Sequence, residues 1–205
     1  MKSYPSIGRK LKGKQRERKV HVFDKLDGSN LRFEWDPKKG WYRWGSRRRV
    51  IDATHPILGG AWKLFVEELA SPLERIARNN RWQGMVAFAE FHGPNSLAGH
   101  HVETDQKKLS LFDVAPSRRG LLGPEEFLEL FGELETPGYL GVFDWDDEFV
   151  AMVRRNALAG VTFEGVIAKA GSGHGLVMAK AKNQAWIDRV LKLYGEEAGQ
   201  KMIDS

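Results

Sequence analysis

A lysine beside a predicted turn is the first candidate for chemistry. Lys25 follows an alternating apolar run that includes Val20 and Val22, and it precedes Asp27-Gly28. The alternation predicts a strand, and Asp-Gly predicts a turn into a second strand. An amine at the end of a half-buried strand loses hydration, which lowers its pKa from about 10.4. Lys25 is therefore a candidate nucleophile; the alternative is an ordinary surface lysine before a hairpin.

Three acids and a lysine pair make up the rest of the candidate set. Glu90 and Asp113 each lie within an apolar strand pattern, where a carboxylate is costly unless it is paired or functional. A third acid, Glu164, begins the segment 164–169, which ends in a lysine. The lysines of Lys180-Ala181-Lys182 face the same side of a strand because side chains alternate with period two. Taken singly, most of them are better explained as edge-strand acids, salt-bridge partners or solvent-facing lysines.

The elements that must position these residues are short strands with a few helices between them. Strands are predicted at 20–25, 30–35, 41–45, 49–52, 84–92, 107–115, 139–143, 161–169 and 175–181. Helices are predicted at 61–79, interrupted at Ser71-Pro72, at 124–131, at 146–156 with Asp146 as the cap, and from Asn183 onward. Many short strands in this order favour an α+β fold over a parallel doubly wound sheet.

Composition limits the class of protein. The 205 residues, 41% hydrophobic and 29% charged, predict one compact globular domain. No apolar run approaches the roughly 18 residues that a membrane span needs, and no apolar stretch follows the N-terminal basic residues as in a secretory signal. The chain has no cysteine, which excludes disulfides and thiol chemistry. We therefore expect a cytoplasmic protein.

Positive charge is concentrated near the N-terminus and after three aromatic residues. The net charge is +5; residues 1–19 read as a loosely ordered basic arm, and residues 20–205 read as the domain. Arg47, Arg48 and Arg49 follow Trp41, Tyr42 and Trp44. Basic residues interleaved with aromatics suit a nucleic acid backbone or nucleotide phosphates, although a solvated basic face is the common alternative.

The order of five short segments resembles the covalent nucleotidyltransferases, which comprise ATP-dependent RNA and DNA ligases and GTP-dependent mRNA capping enzymes. The segments are KLDG at 25–28, AEFHG at 89–93, LFDV at 111–114, EGVIAK at 164–169 and KAK at 180–182. KLDGSN, FAEFHG and the compact spacing look most like the RNA-ligase branch that seals nicks. The resemblance implies a nucleotidyltransferase (ATP-grasp-like) fold, with antiparallel sheets flanked by helices and a nucleotide cleft between them.

The resemblance also implies roles for individual residues. Lys25 matches the lysine that attacks the α-phosphate of ATP and becomes lysyl-AMP; AMP then passes to a 5′-phosphate, and a 3′-OH displaces it. The implied catalytic residues are Lys25, Glu164, Lys180 and Lys182. The implied nucleotide contacts are these four with Asp24 at the adenine edge, Leu26, Asn30, Arg47 or Arg48, Glu90 at the ribose, and Leu109. Glu164 and Glu90 are the implied Mg²⁺ groups, since carboxylates bind this ion, often through its waters.

Two departures from the family pattern affect these expectations. The family often has an aromatic residue stacking on adenine at the position of Leu109. Many relatives also continue into a C-terminal domain, often an OB fold, whereas this chain ends soon after Lys182. The expected protein is either a minimal ligase whose arm and Arg47–Arg49 hold nucleic acid, or a catalytic domain with a separate helper.

Three functions remain open on the sequence. The first is an ATP-dependent polynucleotide ligase that prefers RNA. The second is a capping-type guanylyltransferase that uses GTP. The third is a non-catalytic nucleic-acid-binding module with the same fold.

Overall fold

Two antiparallel sheets of four strands each form the framework. The computed structural model describes residues 3–11, 19–47, 49–94, 96–98 and 104–204. The first sheet has the order β6-β1-β7-β8, with β1 at Lys19–Lys25, β6 at Tyr139–Asp144, β7 at Gly165–Ala170 and β8 at Val177–Lys182. The second has the order β3-β2-β4-β5, with β2 at Gly28–Asp36, β3 at Gly40–Ser46, β4 at Met85–His92 and β5 at Lys108–Pro116. The predicted α+β class and antiparallel sheets are confirmed.

The connection from β1 to β2 differs from the prediction of a hairpin. β1 pairs with β6 and β7, whereas β2 pairs with β3 and β4, so the chain crosses between the sheets after Lys25. Gly28 is required for a close approach of backbones: a Cβ there would lie 2.5 Å from the carbonyl oxygen of Phe91. The Asp-Gly pair therefore marks the crossing that carries the chain from the nucleophile candidate into the second sheet.

The helices before residue 155 cover the outer faces of the sheets, and the C-terminal helix packs in a separate core with Ala98. They are α1 at Gly59–Leu64, α2 at Ala70–Asn79, α3 at Pro124–Phe131, α4 at Asp147–Arg154 and α5 at Gln184–Asp204. The helical region is interrupted, but not at the predicted Ser71-Pro72, which lies within α2. The irregular part is a π-helical segment at Phe65–Leu69, one turn before the proline, which cannot donate a helix hydrogen bond. Asp146 caps α4 as predicted, accepting a hydrogen bond from the Phe149 amide at 2.8 Å.

The predicted strand at 49–52 is wrong. Only Val50 forms a bridge there, to Gly45, and it is isolated. The strand predicted from residue 161 begins at Gly165.

The two largest of the described hydrophobic cores lie on the outer sides of the sheets. The larger core packs the second sheet against α1, α2 and α3; it includes Phe33, whose ring stacks on Phe65 with centroids 3.8 Å apart. The smaller core packs the first sheet against Phe149 and Val153 of α4. Each large apolar side chain buried in this way contributes about 1.5–3 kcal/mol. The cores thus fix the sheets from outside.

Residues 3–11, the described part of the predicted basic arm, lie on the domain. Tyr4 is buried, and Gly8 forms a parallel bridge with Ala179 of β8. Lys19 belongs to β1. Residues 12–18 lie outside the described part of the chain. Within the described ranges, no helix has both the length and the apolar character needed to cross a membrane.

Candidate active site

A cavity of about 230 Å³ lies between the inner faces of the two sheets. Strands of both sheets contribute to it, together with the segment that contains Tyr4. Of the residues predicted from the sequence, those lining the cavity are Asp24, Lys25, Leu26, Asn30, Arg47, Glu90, Glu164, Lys180 and Lys182. Side chains that are more than 150 positions apart in the chain therefore meet at one place.

Strand register brings the central charges together. In the first sheet Lys25 pairs with Gly165, and Gly165 pairs with Lys182. Gly165 has φ 143°, and a Cβ there would lie 2.1 Å from the carbonyl oxygen of Ala181. Because only glycine fits this close approach, Glu164 lies directly beside the end of β8. The Glu-Gly pair of the sequence thus has a physical reason.

Glu164 binds two lysines at once. Its Oε2 lies 2.8 Å from Nζ of Lys25, and its Oε1 lies 3.0 Å from Nζ of Lys182. The Glu164 side chain is only 5% exposed. A buried carboxylate needs paired cations, and here both cations are candidate catalytic groups.

The pKa of Lys25 is raised, so the predicted depression is wrong for the ligand-free protein. Burial lowers the pKa, but the charges of Glu164, Glu90 and Asp27, with the hydrogen bond to Glu164, raise it by more. The three acidic groups therefore outweigh the effect of burial. Lys25 is therefore an ammonium group near pH 7.

Two other groups in the cavity have pKa values that are shifted toward neutral pH. Burial, with the charges of Lys182 and Lys25, lowers the pKa of Lys180 to about 8, although Glu164 opposes the shift. Burial, with the charges of Glu164 and Asp27, raises the pKa of Glu90 to about 8 against the effect of Lys25. Glu90 can therefore change its protonation state near neutral pH, and its protonated form donates as well as accepts a hydrogen bond.

Asn30 and Glu90 face each other at paired positions of β2 and β4. Asn30 Oδ1 is buried and has no hydrogen-bond partner within the described part of the chain. Such an atom costs about 1–3 kcal/mol when it is left unsatisfied, so a polar ligand group in the cavity would stabilise it.

Both carboxylate oxygens of Asp24 accept hydrogen bonds from the loop before β7. Its Oδ1 accepts a hydrogen bond from the Thr162 amide at 3.0 Å, and its Oδ2 accepts one from the Thr162 hydroxyl at 2.7 Å. The Asp24 amide donates to the carbonyl of Gly138 at 2.8 Å. Burial raises the pKa of Asp24, and the hydrogen bonds from Thr162 oppose that shift. Asp24 thus holds the end of β1 in place beside Lys25.

The base contact assigned to Leu109 is wrong. Leu109 is fully buried in the larger core and is not among the described residues that line the cavity. A bulge in β5 pairs Phe88 with Asp113 but Ala89 with Leu111, so the residue between them takes the inner position. That residue, Phe112, lines the cavity.

Asp113 and Lys169 link the two sheets. Lys169 of β7 lies 2.8 Å from Asp113 Oδ1 of β5 and donates to the carbonyl of Phe112 at 2.7 Å. The Tyr4 hydroxyl donates to Asp113 Oδ2. The sequence singled out Asp113 and Lys169, but nothing in a basic arm indicated that Tyr4 would join them.

The three predicted arginines do not lie together at the cavity. Arg47 lines it, and its Nε donates to the carbonyl of Tyr4 at 3.3 Å. Arg49 is exposed and is not among the described residues that line the cavity. Arg48 lies outside the described residues.

The cavity carboxylates fit a magnesium ion that also binds phosphate. Across the described ranges, no group of three acidic or histidine residues could hold a metal ion. Mg²⁺ in nucleotide enzymes is bound by one or two carboxylates, several waters and substrate phosphates. Glu164 and Glu90, which both line the cavity, are a donor set of that kind.

Comparison with known proteins shows the fold. No protein-family model matches the sequence, and no curated protein matches it. The structure is similar to those of an RNA ligase from Naegleria gruberi, including an apo mutant, a mutant with ATP and Mn, and the ligase with PPi. For each the TM-score is 0.62 at 16% identity over 83% of this chain. This chain spans about half of that ligase, 51% of its length. The predicted nucleotidyltransferase-type fold is confirmed.

Proposed function

We propose that the protein is an ATP-dependent RNA ligase that works through lysyl-AMP at Lys25. The observation that carries the proposal is the pairing of Glu164 with both Lys25 and Lys182 at the wall of a cavity large enough for part of a nucleotide. The likeness in fold to an RNA ligase crystallised with ATP and Mn supports it.

In the first step the Lys25 amine attacks the α-phosphorus of ATP. A nitrogen–phosphorus bond forms, the bond from that phosphorus to the bridging oxygen of the β-phosphate breaks, and pyrophosphate leaves with the electron pair. The amine must first lose a proton, and Glu164 Oε2, at 2.8 Å, is the nearest acceptor. Lys180 and Lys182 stabilise the negative charge on the phosphoryl oxygens.

Magnesium held by Glu164 and Glu90 would supply positive charge to the phosphates and offset the carboxylates that raise the pKa of Lys25. Lys182 keeps Glu164 in position through its own hydrogen bond at 3.0 Å. Lys25 is thus freed for attack when Glu164 no longer holds it as an ion pair.

The nucleoside contacts follow from the cavity wall. Asn30 and Glu90, which both line the cavity, can exchange hydrogen bonds with ribose hydroxyls. Phe112 and Ile167, on opposite sheets, are the apolar side chains available to a purine face. We therefore assign the contact with the base to Phe112 in place of Leu109.

The later steps transfer AMP to a 5′-phosphate on nucleic acid and then join that end to a 3′-OH. We assign contacts with the nucleic acid backbone to Arg47 at the cavity and to the exposed Arg49, with Arg48 between them in sequence. RNA is the proposed strand. Sealing assays on defined nicks with the purified chain alone test whether it needs a separate helper domain or protein.

The decisive test is incubation with ATP and Mg²⁺ followed by mass spectrometry. We expect one AMP on Lys25 and none in Lys25→Ala. Labelling by GTP instead of ATP would indicate a guanylyltransferase. Nucleic acid binding that is unchanged in Lys25→Ala, with no adduct from either nucleotide, would indicate a binding module. Sealing of nicked duplexes with an RNA or DNA 3′-OH strand then identifies the substrate.

A further inference from the structure

A second, smaller cavity adjoins the candidate active site at β8. Its volume is about 60 Å³, and it shares Lys180 and Lys182 with the larger cavity. Arg9 and Arg154 also line it. Four cationic residues from three different parts of the chain therefore meet beside the predicted phosphate site, which suits an anion of high charge.

Backbone pairing places Arg9 at the outer edge of the first sheet. The preceding residue, Gly8, forms a parallel bridge with Ala179, and its carbonyl accepts a hydrogen bond from the Lys180 amide at 2.9 Å. The segment thus lies beyond β8, on the side away from β1. The charge of Arg9 also contributes to the lowered pKa of Lys180, after burial, Lys182 and Lys25.

The direction of the first step points to this edge. In-line displacement puts the leaving oxygen on the side of the phosphorus opposite the attacking amine. Lys25 lies on β1, and β8 lies two strands away, roughly 9–10 Å at the usual strand spacing. With the α-phosphate placed between Lys25 and the β8 lysines that would stabilise its charge, the pyrophosphate leaves toward Lys180 and Arg9.

We propose that Arg9, with Lys180 and Lys182, binds the β- and γ-phosphates of ATP and the pyrophosphate product. The inference rests on the proposed function. In the ligand-free protein Arg9 pairs with Asp204 of α5 at 2.6 Å, and both side chains are 56% exposed. A pair so open to water is weak, so a polyphosphate of higher charge displaces Asp204 from the guanidinium group.

The test compares Arg9→Ala with Lys10→Ala, which removes a neighbouring exposed positive charge. The purified AMP adduct is discharged with inorganic pyrophosphate, and the sealing rate of a pre-adenylated nick, a step without pyrophosphate, is the reference. We expect Arg9→Ala to raise the pyrophosphate concentration for half-maximal discharge about tenfold over wild type, equivalent to about 1.4 kcal/mol. The sealing rate of the pre-adenylated nick should stay unchanged in the same variant. Lys10→Ala should behave as wild type, and Asp204→Ala should bind pyrophosphate at least as tightly.

Two results would overturn the proposal. One is an unchanged pyrophosphate dependence in Arg9→Ala. The other is an equal loss of pyrophosphate binding in Arg9→Ala and Asp204→Ala, with binding restored in the double variant Arg9→Asp, Asp204→Arg. That pattern would mean that the ion pair acts only as a structural link.

Failure of the proposed function is distinguishable from failure of this inference. If wild-type protein forms no adduct, calorimetric titration of inorganic pyrophosphate into the unmodified protein still tests the site. Binding about tenfold weaker in Arg9→Ala supports the phosphate subsite, and equal binding in the two proteins rejects it.

Discussion

Replacing Glu164 by glutamine tests the centre of the site because the change keeps the shape and removes the charge. The carboxylate is 5% exposed and holds Lys25 at 2.8 Å and Lys182 at 3.0 Å. Removing one partner of a buried ion pair costs about 3–5 kcal/mol. Lys25 is 21% exposed, so water compensates part of its loss, whereas Lys182 is only 8% exposed. We expect the free energy of unfolding to fall by about 3 kcal/mol, measured by urea denaturation.

The same substitution separates stability from chemistry. Without the Glu164 charge the pKa of Lys25 should fall, since that charge is the largest influence that raises it. Adduct formation with ATP should nevertheless drop by at least about a hundredfold, the scale for one preorganised electrostatic group. Any residual labelling should reach its half-maximal rate at a lower pH than in wild type. Mass spectrometry across a pH series measures both effects.

A matched control is Glu34→Gln. Glu34 is a similarly buried carboxylate, 6% exposed, that pairs with Arg43 at 2.7 Å and is not among the described residues that line the cavity. It should lose stability and keep wild-type labelling. Wild-type labelling by Glu164→Gln, or equal loss of labelling in both variants, would refute the role given to Glu164.

Three further outcomes are expected. Lys180→Ala and Lys182→Ala should each raise the activation free energy of adduct formation by about 2–4 kcal/mol. Wild-type labelling in either variant removes that residue from the mechanism. Folding raises the pKa of Glu90 from 4.5 to about 8. The stability contributed by this group is therefore complete below pH 4.5 and is lost as the pH rises to about 8. In Glu90→Gln the free energy of unfolding in urea should depend less on pH over this range, and the same pH dependence as wild type argues against the shift. Lys169→Met should lower the free energy of unfolding by about 3–5 kcal/mol by leaving Asp113 buried without its cation, and Asp113→Asn in the same chain should recover part of it; simple additivity of the two losses would contradict the pairing.

The strands and the charged segments were predictable because both depend on local sequence. Period-two apolar runs located β1, β2, β4 and β5 to within one or two residues at most ends. The order of the five charged segments indicated one shared cavity, and the structure brings Lys25, Glu164 and Lys182 into contact. An acid within an apolar strand is a sequence signal because burial alone makes it unfavourable.

Features set by long-range packing were not predictable. The change of sheet after Lys25 depends on which strands β1 and β2 pair with, and alternation does not encode a partner. The assignment of Leu109 failed because one bulge in β5 changes which face a side chain occupies. The pKa of Lys25 was predicted in the wrong direction because the sequence shows how many acids exist but not how many lie beside one amine.

The register of the first sheet explains why one carboxylate can hold two lysines. Lys25, Gly165 and Lys182 occupy one row across three adjacent strands, and the missing side chain of Gly165 lets the row close around Glu164. An amine held by a carboxylate is stable and unreactive; the same amine beside two further cations becomes a nucleophile once that carboxylate is neutralised. Lys25 contacts Oε2 of Glu164 and Lys182 contacts Oε1, so the proposed release of Lys25 does not itself break the Lys182 contact. In the proposed mechanism, the resting ion pair and the reactive amine are therefore two protonation states of the same residues.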